Sequence, residues 1–182
     1  MVMSPRLRAF ALSVHLTVSV GWTGSVLAYL ALGLAARTTD DDRTLRAMWI
    51  ALDLVGWYVI VPLAIASVFT GLIMSLGTKW GLLRHYWVLY SFIMTVVAAA
   101  VLVLHMPDVS QLAIAAREGA TGGEGEHLLG RLRSGDLVHP GLGLVVLLTV
   151  QVLNIYKPTG MTRYGRRRQR SGRAASRDPV AA

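Results

Sequence analysis

Five histidines, one carboxylate inside an apolar run and no cysteine set the chemistry open to this 182-residue chain. Without thiols there are no disulfides and no thiolate metal sites, so a metal or tetrapyrrole would need imidazole, thioether or carboxylate ligands. His15 lies in the stretch HLTVSVGWTG, and Trp22 follows seven residues later. Seven residues make almost two helical turns, so His15, Ser19, Trp22, Val26 and Tyr29 share one stripe. Arg84 and His85 are adjacent, and Asp53, His105 and His139 each lie near the edge of an apolar run. Ionisable groups at membrane depth are expensive and tend to mark sites, and neutral imidazole ligates haem iron and divalent metals. The plain alternatives are a His15 bonded to a neighbouring helix and an Asp53 that caps or hydrates a helix start. His127 falls near a glycine-rich stretch and reads as solvated.

The elements that carry these residues are membrane spans. Hydrophobic residues make up 54% of the chain and charged residues only 15%, against about a quarter in soluble domains. The charges gather between apolar runs and in the C-terminal tail. Four runs are long enough to cross about 30 Å of hydrocarbon: residues 9–36, 48–76, 86–105 and 137–156. The expected fold is therefore an all-α, four-helix transmembrane bundle over residues 1–156. An outer loop covers 107–136, and a basic, disordered cytoplasmic tail covers 157–182. The first run is too long for a signal peptide's apolar core and reads as a retained span. In the outer loop, GATGGEGE reads as flexible, flanked by amphipathic pieces near 109–117 and 127–133 suited to a membrane surface.

Each span also presents small and polar residues. In the first, Thr17, Gly21, Gly24, Ser25 and Ala28 form a small-residue stripe that reads as the helix-packing face. In the second, Asp53, Trp57, Ile60, Ala64, Ser67, Gly71 and Ser75 align. Gln151 and Asn154 read as polar links within the bundle.

Charge sets the orientation. With the N-terminus inside, 12 of the 18 Lys and Arg residues fall on the cytoplasmic side, including Arg6, Arg8, Lys79, Arg84, Lys157, Arg163, Arg166, Arg167, Arg168, Arg170, Arg173 and Arg177. Only one acid, Asp178, falls with them, whereas eight, Asp136 among them, fall in the outer loops. The positive-inside rule then places both termini in the cytoplasm of a plasma membrane. The net charge of +8 belongs to these flanks, which argues for anionic lipid at the basic tail and against nucleic acid. A second copy of the chain or another membrane protein is the expected protein partner. GATGGEGE lacks the Lys and Ser/Thr of a phosphate-binding loop, and no nucleophile–base pair stands out.

Sorted by depth, His15, Arg84 and His85 fall near the cytoplasmic side and Asp53, His105 and His139 near the outer side. The stretches HLTVSVGWTGSVLAYLAL, GWYVIVPLAIASVFTGLIMSLGTKWGLLRHYWVL and HPGLGLVVLLTVQVLNIYKPTGMTRYG resemble an uncharacterised bacterial family of four-helix integral membrane proteins. Within them GTKWGLLRHYWVL and YKPTGMTRYG are the most specific. The His followed by Trp-x-Gly also resembles the opening helix of CopD-type copper-resistance membrane proteins and of HemJ-type protoporphyrinogen oxidases. The latter resemblance implies a b-type haem ligated at His15, packed near Trp22, with Arg84 where that family has Lys. Three expectations follow. One is a membrane redox protein holding haem b through His15, with His85 as second ligand. Another is a copper-like metal site of Asp53, His105 and His139. The third is a non-catalytic scaffold or partner subunit.

Overall fold

The computed structural model describes residues 3–78, 81–119, 123–135, 137–167 and 169. Lys79, Asp136, Arg168, Arg170, Arg173, Arg177 and Asp178, which enter the charge argument, lie outside them, as does the tail beyond 169.

Helix α1 runs Pro5–Thr38. The Ser4 hydroxyl accepts from the Leu7 N–H at its start and Pro5 fills the first position, where no N–H is needed. After a short link the Asp41 carboxylate caps α2, Asp42–Val55, by accepting from the Arg43 and Thr44 N–H groups. A π-helical turn, Gly56–Ile60, follows and leads into α3, Val61–Gly77. Pro62 explains the turn. It has no N–H, and in an α-helix its ring would press on the carbonyl four residues back. The wider turn relieves this, and the Val61 N–H bonds the Gly56 oxygen five residues back. Helix α4 runs Tyr86–Glu118, α5 Gly123–Ser134 and α6 Val138–Tyr156. Among the described residues the only pairing of extended backbone is an isolated bridge, His85 with Met161.

Among the described residues four helices are long and apolar enough to cross a membrane. They form a ring: α1 packs on α2, α3 and α6, and α4 packs on the same three. Helix α5 lies across the end opposite the termini, where the Trp49 indole N–H donates to the Leu132 carbonyl at 3.0 Å. The core is concentrated in that far half, in Trp22, Val26, Tyr29, Leu45, Trp49, Leu52, Met106 and Leu132. The outside is apolar, with Phe10, Tyr58, Phe69, Leu104 and Ile155 all exposed, as a lipid-facing surface requires.

Several expectations change. Helix α4 does not stop at 105. It continues through Pro107 to Glu118, because Val109, Ala113 and Ala116 are buried, on the helix that packs against α2. The first amphipathic piece of the supposed outer loop is thus the top of α4, and the second is α5. Gly119 ends α4 with φ +65, a conformation glycine adopts without a side-chain clash. The packing face of α1 is also the other stripe. Trp22, Val26 and Tyr29 are buried, while Thr17, Gly24 and Ala28 are exposed and only Gly21 approaches a neighbour, Leu63. Large side chains that fill the gap between helices outweigh small ones here. Gln151 does link helices, donating to the Thr23 hydroxyl at 2.9 Å, but Asn154 bonds the Val150 carbonyl of its own helix.

The tail likewise begins as folded chain. Lys157 closes α6 in the left-handed region, and residues 160–167 turn back onto the loop before α4. There the Thr162 N–H donates to the Arg84 carbonyl at 3.0 Å, the Thr162 hydroxyl donates to the Leu83 carbonyl at 2.5 Å, and the Tyr86 N–H donates to Gly160 at 3.3 Å. Gly165 fits because a Cβ there would lie 2.5 Å from the Arg84 oxygen. Residues 83–86 and 160–165, which lie within the stretches GTKWGLLRHYWVL and YKPTGMTRYG, therefore dock on each other.

Candidate functional site: an apolar cavity beside two stacked histidines

Apolar side chains of α1, α4 and α6 line a half-open cavity of about 370 Å³ between them, with Ile60 of the π turn on its wall. Trp22, Val26 and Tyr29 supply the α1 wall, and the α4 wall runs from Ile93 to His105. The 12 helical steps from Ile93 to His105 span about 18 Å, so the cavity is long and parallel to the helices. Its size falls within the range of small-molecule sites.

The polarity of the wall is concentrated at one end. His105 of α4 and His139 of α6 stack there, with ring centroids 4.3 Å apart and planes 17° from parallel. His139 is in the first turn of α6, followed by Pro140 at a position whose N–H no helix needs. His105 sits one residue before Met106, which is 1% exposed and packs where a side chain on Gly56 would stand. A second cavity of about 50 Å³ adjoins on the far side. It shares Tyr29 and His105 with the first and adds Asp108, Trp49 and Gly135. Sequence depth placed His105 and His139 in one layer. What it did not give was the cavity beneath them, which depends on helices α1 and α4 standing apart on opposite sides of the ring.

The other candidates are held elsewhere. Asp53 lines neither cavity. The Ser110 hydroxyl donates to its Oδ1 at 2.7 Å, the Trp57 indole N–H donates to Ser110 at 2.8 Å, and Arg117 lies 3.5 Å from its Oδ2. Asp53 is therefore a link between α2 and α4, and Ser110 and Arg117 are its partners that sequence reading missed. Among the described residues no three His, Asp or Glu side chains converge as metal ligands. Stacked imidazoles also direct their lone pairs side by side, whereas a metal needs them aimed at one point.

His15 bonds the Thr70 hydroxyl through Nδ1 at 2.9 Å. Thr70 donates its own proton to the Ala66 carbonyl at 2.7 Å, which leaves its oxygen to accept from a His15 Nδ1–H. Ser19 meets Ser67 at 3.0 Å one turn further along. His15, Ser19 and Thr23 thus form a polar edge at four-residue spacing that ties α1 to α3 and α6. The His15 ring also lies close against Gly71, and neither cavity reaches it. Neither cavity supplies space for a haem at that ring, and the Nδ1 bond leaves Nε2 as the nitrogen a ligand would use. Trp22 shares the stripe but lines the cavity, away from the Thr70 contact. Arg84 and His85 belong to the loop that receives Gly160–Gly165 and line neither cavity.

The fold and cavity define an all-helical bundle with four helices fit to span a membrane and an apolar site between them. No family profile, curated protein or solved structure matches the chain.

Proposed function

We propose that this is a bacterial plasma-membrane protein, with both termini in the cytoplasm, that binds a lipid-soluble small molecule in the cavity between α1, α4 and α6. The observation that carries the reading is the 370 Å³ apolar cavity with its only paired polar rings, His105 and His139, at one end. A cavity of this kind in a soluble core would lower stability. In a bilayer it is accessible to molecules dissolved in the lipid. The basic residues at the termini end, such as Arg6, Arg8 and Lys157, support the orientation and suit the anionic inner leaflet.

Gly143 supplies the test. It lines the cavity, and a Cβ there would meet nothing within 4 Å, so a phenylalanine side chain introduced by Gly143→Phe starts in open space and adds bulk to the cavity. The purified protein in nanodiscs, titrated with the apolar fluorophore diphenylhexatriene, should show saturable binding at one site per chain above bilayer partitioning. Gly143→Phe should remove the saturable part while leaving the melting temperature unchanged or raised. Identical titrations for the two proteins would sink the reading and leave the scaffold alternative.

A further inference from the structure

We infer that the natural occupant of the cavity is a single-chain amphipath whose hydrogen-bond-accepting head, a carboxyl or ester, sits at His105 and His139, with its chain running along α4 toward Ile93. This rests on the cavity being a binding site and adds the class and the direction of the ligand.

Three features point the same way. The cavity is elongated: its α4 wall extends about 18 Å parallel to the helices, the direction in which acyl chains of the surrounding bilayer lie. A compact ligand would leave much of that length empty. Its polarity is weighted to one end. The two imidazoles stand together there, and the only other polar side chains on the wall are the Trp22 indole and the Tyr29 phenol, among Val26, Ile60, Met94, Val97 and Leu147. Burying a polar group unpaired costs several kcal/mol in hydrocarbon, so a head group is favoured at the histidine end, where an imidazole N–H can donate to it. Finally, the head lies beside water-sized space. The adjoining 50 Å³ cavity shares His105, is lined by Asp108 and has room for water, so a head group can be hydrated while its chain stays dry. The carboxylate of Asp108 lies beyond the imidazole rather than in the main cavity, which leaves the imidazoles as the groups that meet the head.

The experiment is displacement of diphenylhexatriene from the intact protein in nanodiscs by two chain-matched probes, tetradecanoate and tetradecyltrimethylammonium. The second has the same chain and no hydrogen-bond acceptor. Tetradecanoate should displace the fluorophore at no more than a tenth of the concentration the ammonium compound needs. In the His105→Phe/His139→Phe variant, which keeps two stacked rings but no N–H, the difference should shrink to less than threefold. Methyl tetradecanoate should follow the acid if the head is read as an acceptor, and follow the ammonium compound if only charge is read, which would overturn the assignment. Equal displacement by acid and ammonium in the wild type, or an unchanged preference in the double variant, also overturns it while leaving the cavity reading intact. A fluorophore that no probe displaces means the site holds bulk bilayer lipid only, and the proposal fails. Absence of saturable fluorophore binding removes both readings together.

Discussion

Replacing Thr162 by valine should release the folded start of the tail from the loop before α4. Thr162 is 8% exposed, and its hydroxyl serves both sides of the contact. It donates to the Leu83 carbonyl at 2.5 Å and accepts from the Gly165 N–H at 3.0 Å. Valine keeps the branched shape and removes both bonds. The two losses are unequal. Leu83 is 53% exposed, so its carbonyl can take a water instead, whereas Gly165 is buried and its N–H is left unpaired. An unpaired buried donor costs about 1–3 kcal/mol, which multiplies the opening equilibrium roughly 5- to 150-fold. Amide hydrogen exchange reads this directly at Thr162, bonded to Arg84, and at Tyr86, bonded to Gly160. Both should lose protection by that factor, while amides in the middle of α4 stay unchanged. Gly165→Ala should open the same contact by a different route, through its clash with the Arg84 carbonyl. Protection within twofold of wild type in both variants would refute the claim that this segment is docked.

Two further measurements test the rest of the frame. Ser110→Ala should lower stability by about 1.5–3 kcal/mol, because it strips a charged acceptor of its bond and leaves the Trp57 N–H without its partner. Arg117→Gln should cost less than about 1 kcal/mol, since that ion pair is 3.5 Å long and its arginine is 46% exposed; chemical unfolding in mild detergent that ranks the two the other way would contradict this assignment of Asp53's partners. Asp41 is held below the usual carboxylate range, first by the Thr44 hydroxyl and then by the Thr44 N–H. A depressed folded value means its capping contribution is present at neutral pH and lost as pH falls through that value. Exchange at the Thr44 amide should accordingly differ between wild type and Asp41→Ala at neutral pH and converge in acid, and a difference that persists at low pH would argue against the cap.

The four spans were legible because hydropathy over 18 or more residues is a property of composition alone. Their ends were not. Residues 109–118 carry enough polar groups to read as loop, and they are helical because α2 covers Val109, Ala113 and Ala116. The choice between the two stripes of α1 was also invisible, since both are compatible with close helix packing and only the opposing surfaces decide. Depth along each span put His105 and His139 in one layer, but not face to face, and it grouped Asp53 with them. Depth is one coordinate of three. Which side of its helix Asp53 occupies depends on rotation about the axis, and that turns it to Ser110. The bond of His15 to a neighbouring helix is the plain alternative to the ligand role expected for it, and nothing in its own span names Thr70. The tail was read from its charge, and the contact that orders its first turn comes from Thr162 and Gly165, which carry none.

The π turn at Gly56–Ile60 has a consequence for how this chain tolerates change in length. One residue of an α-helix is worth about 100° of rotation and 1.5 Å of rise. Deleting a single residue there would restore an ordinary helix and shorten the span negligibly. Downstream positions would stay nearly in phase, because the π turn already holds about one residue more than an α-helical turn. Ser67 and Thr70 would remain on the α1 side, opposite Ser19 and His15. The same deletion in the regular helix of α2 or α3 would instead turn every position beyond it by about 100°. The π turn is therefore the place in this span where a one-residue gap of an alignment can fall without redistributing the polar residues of α3.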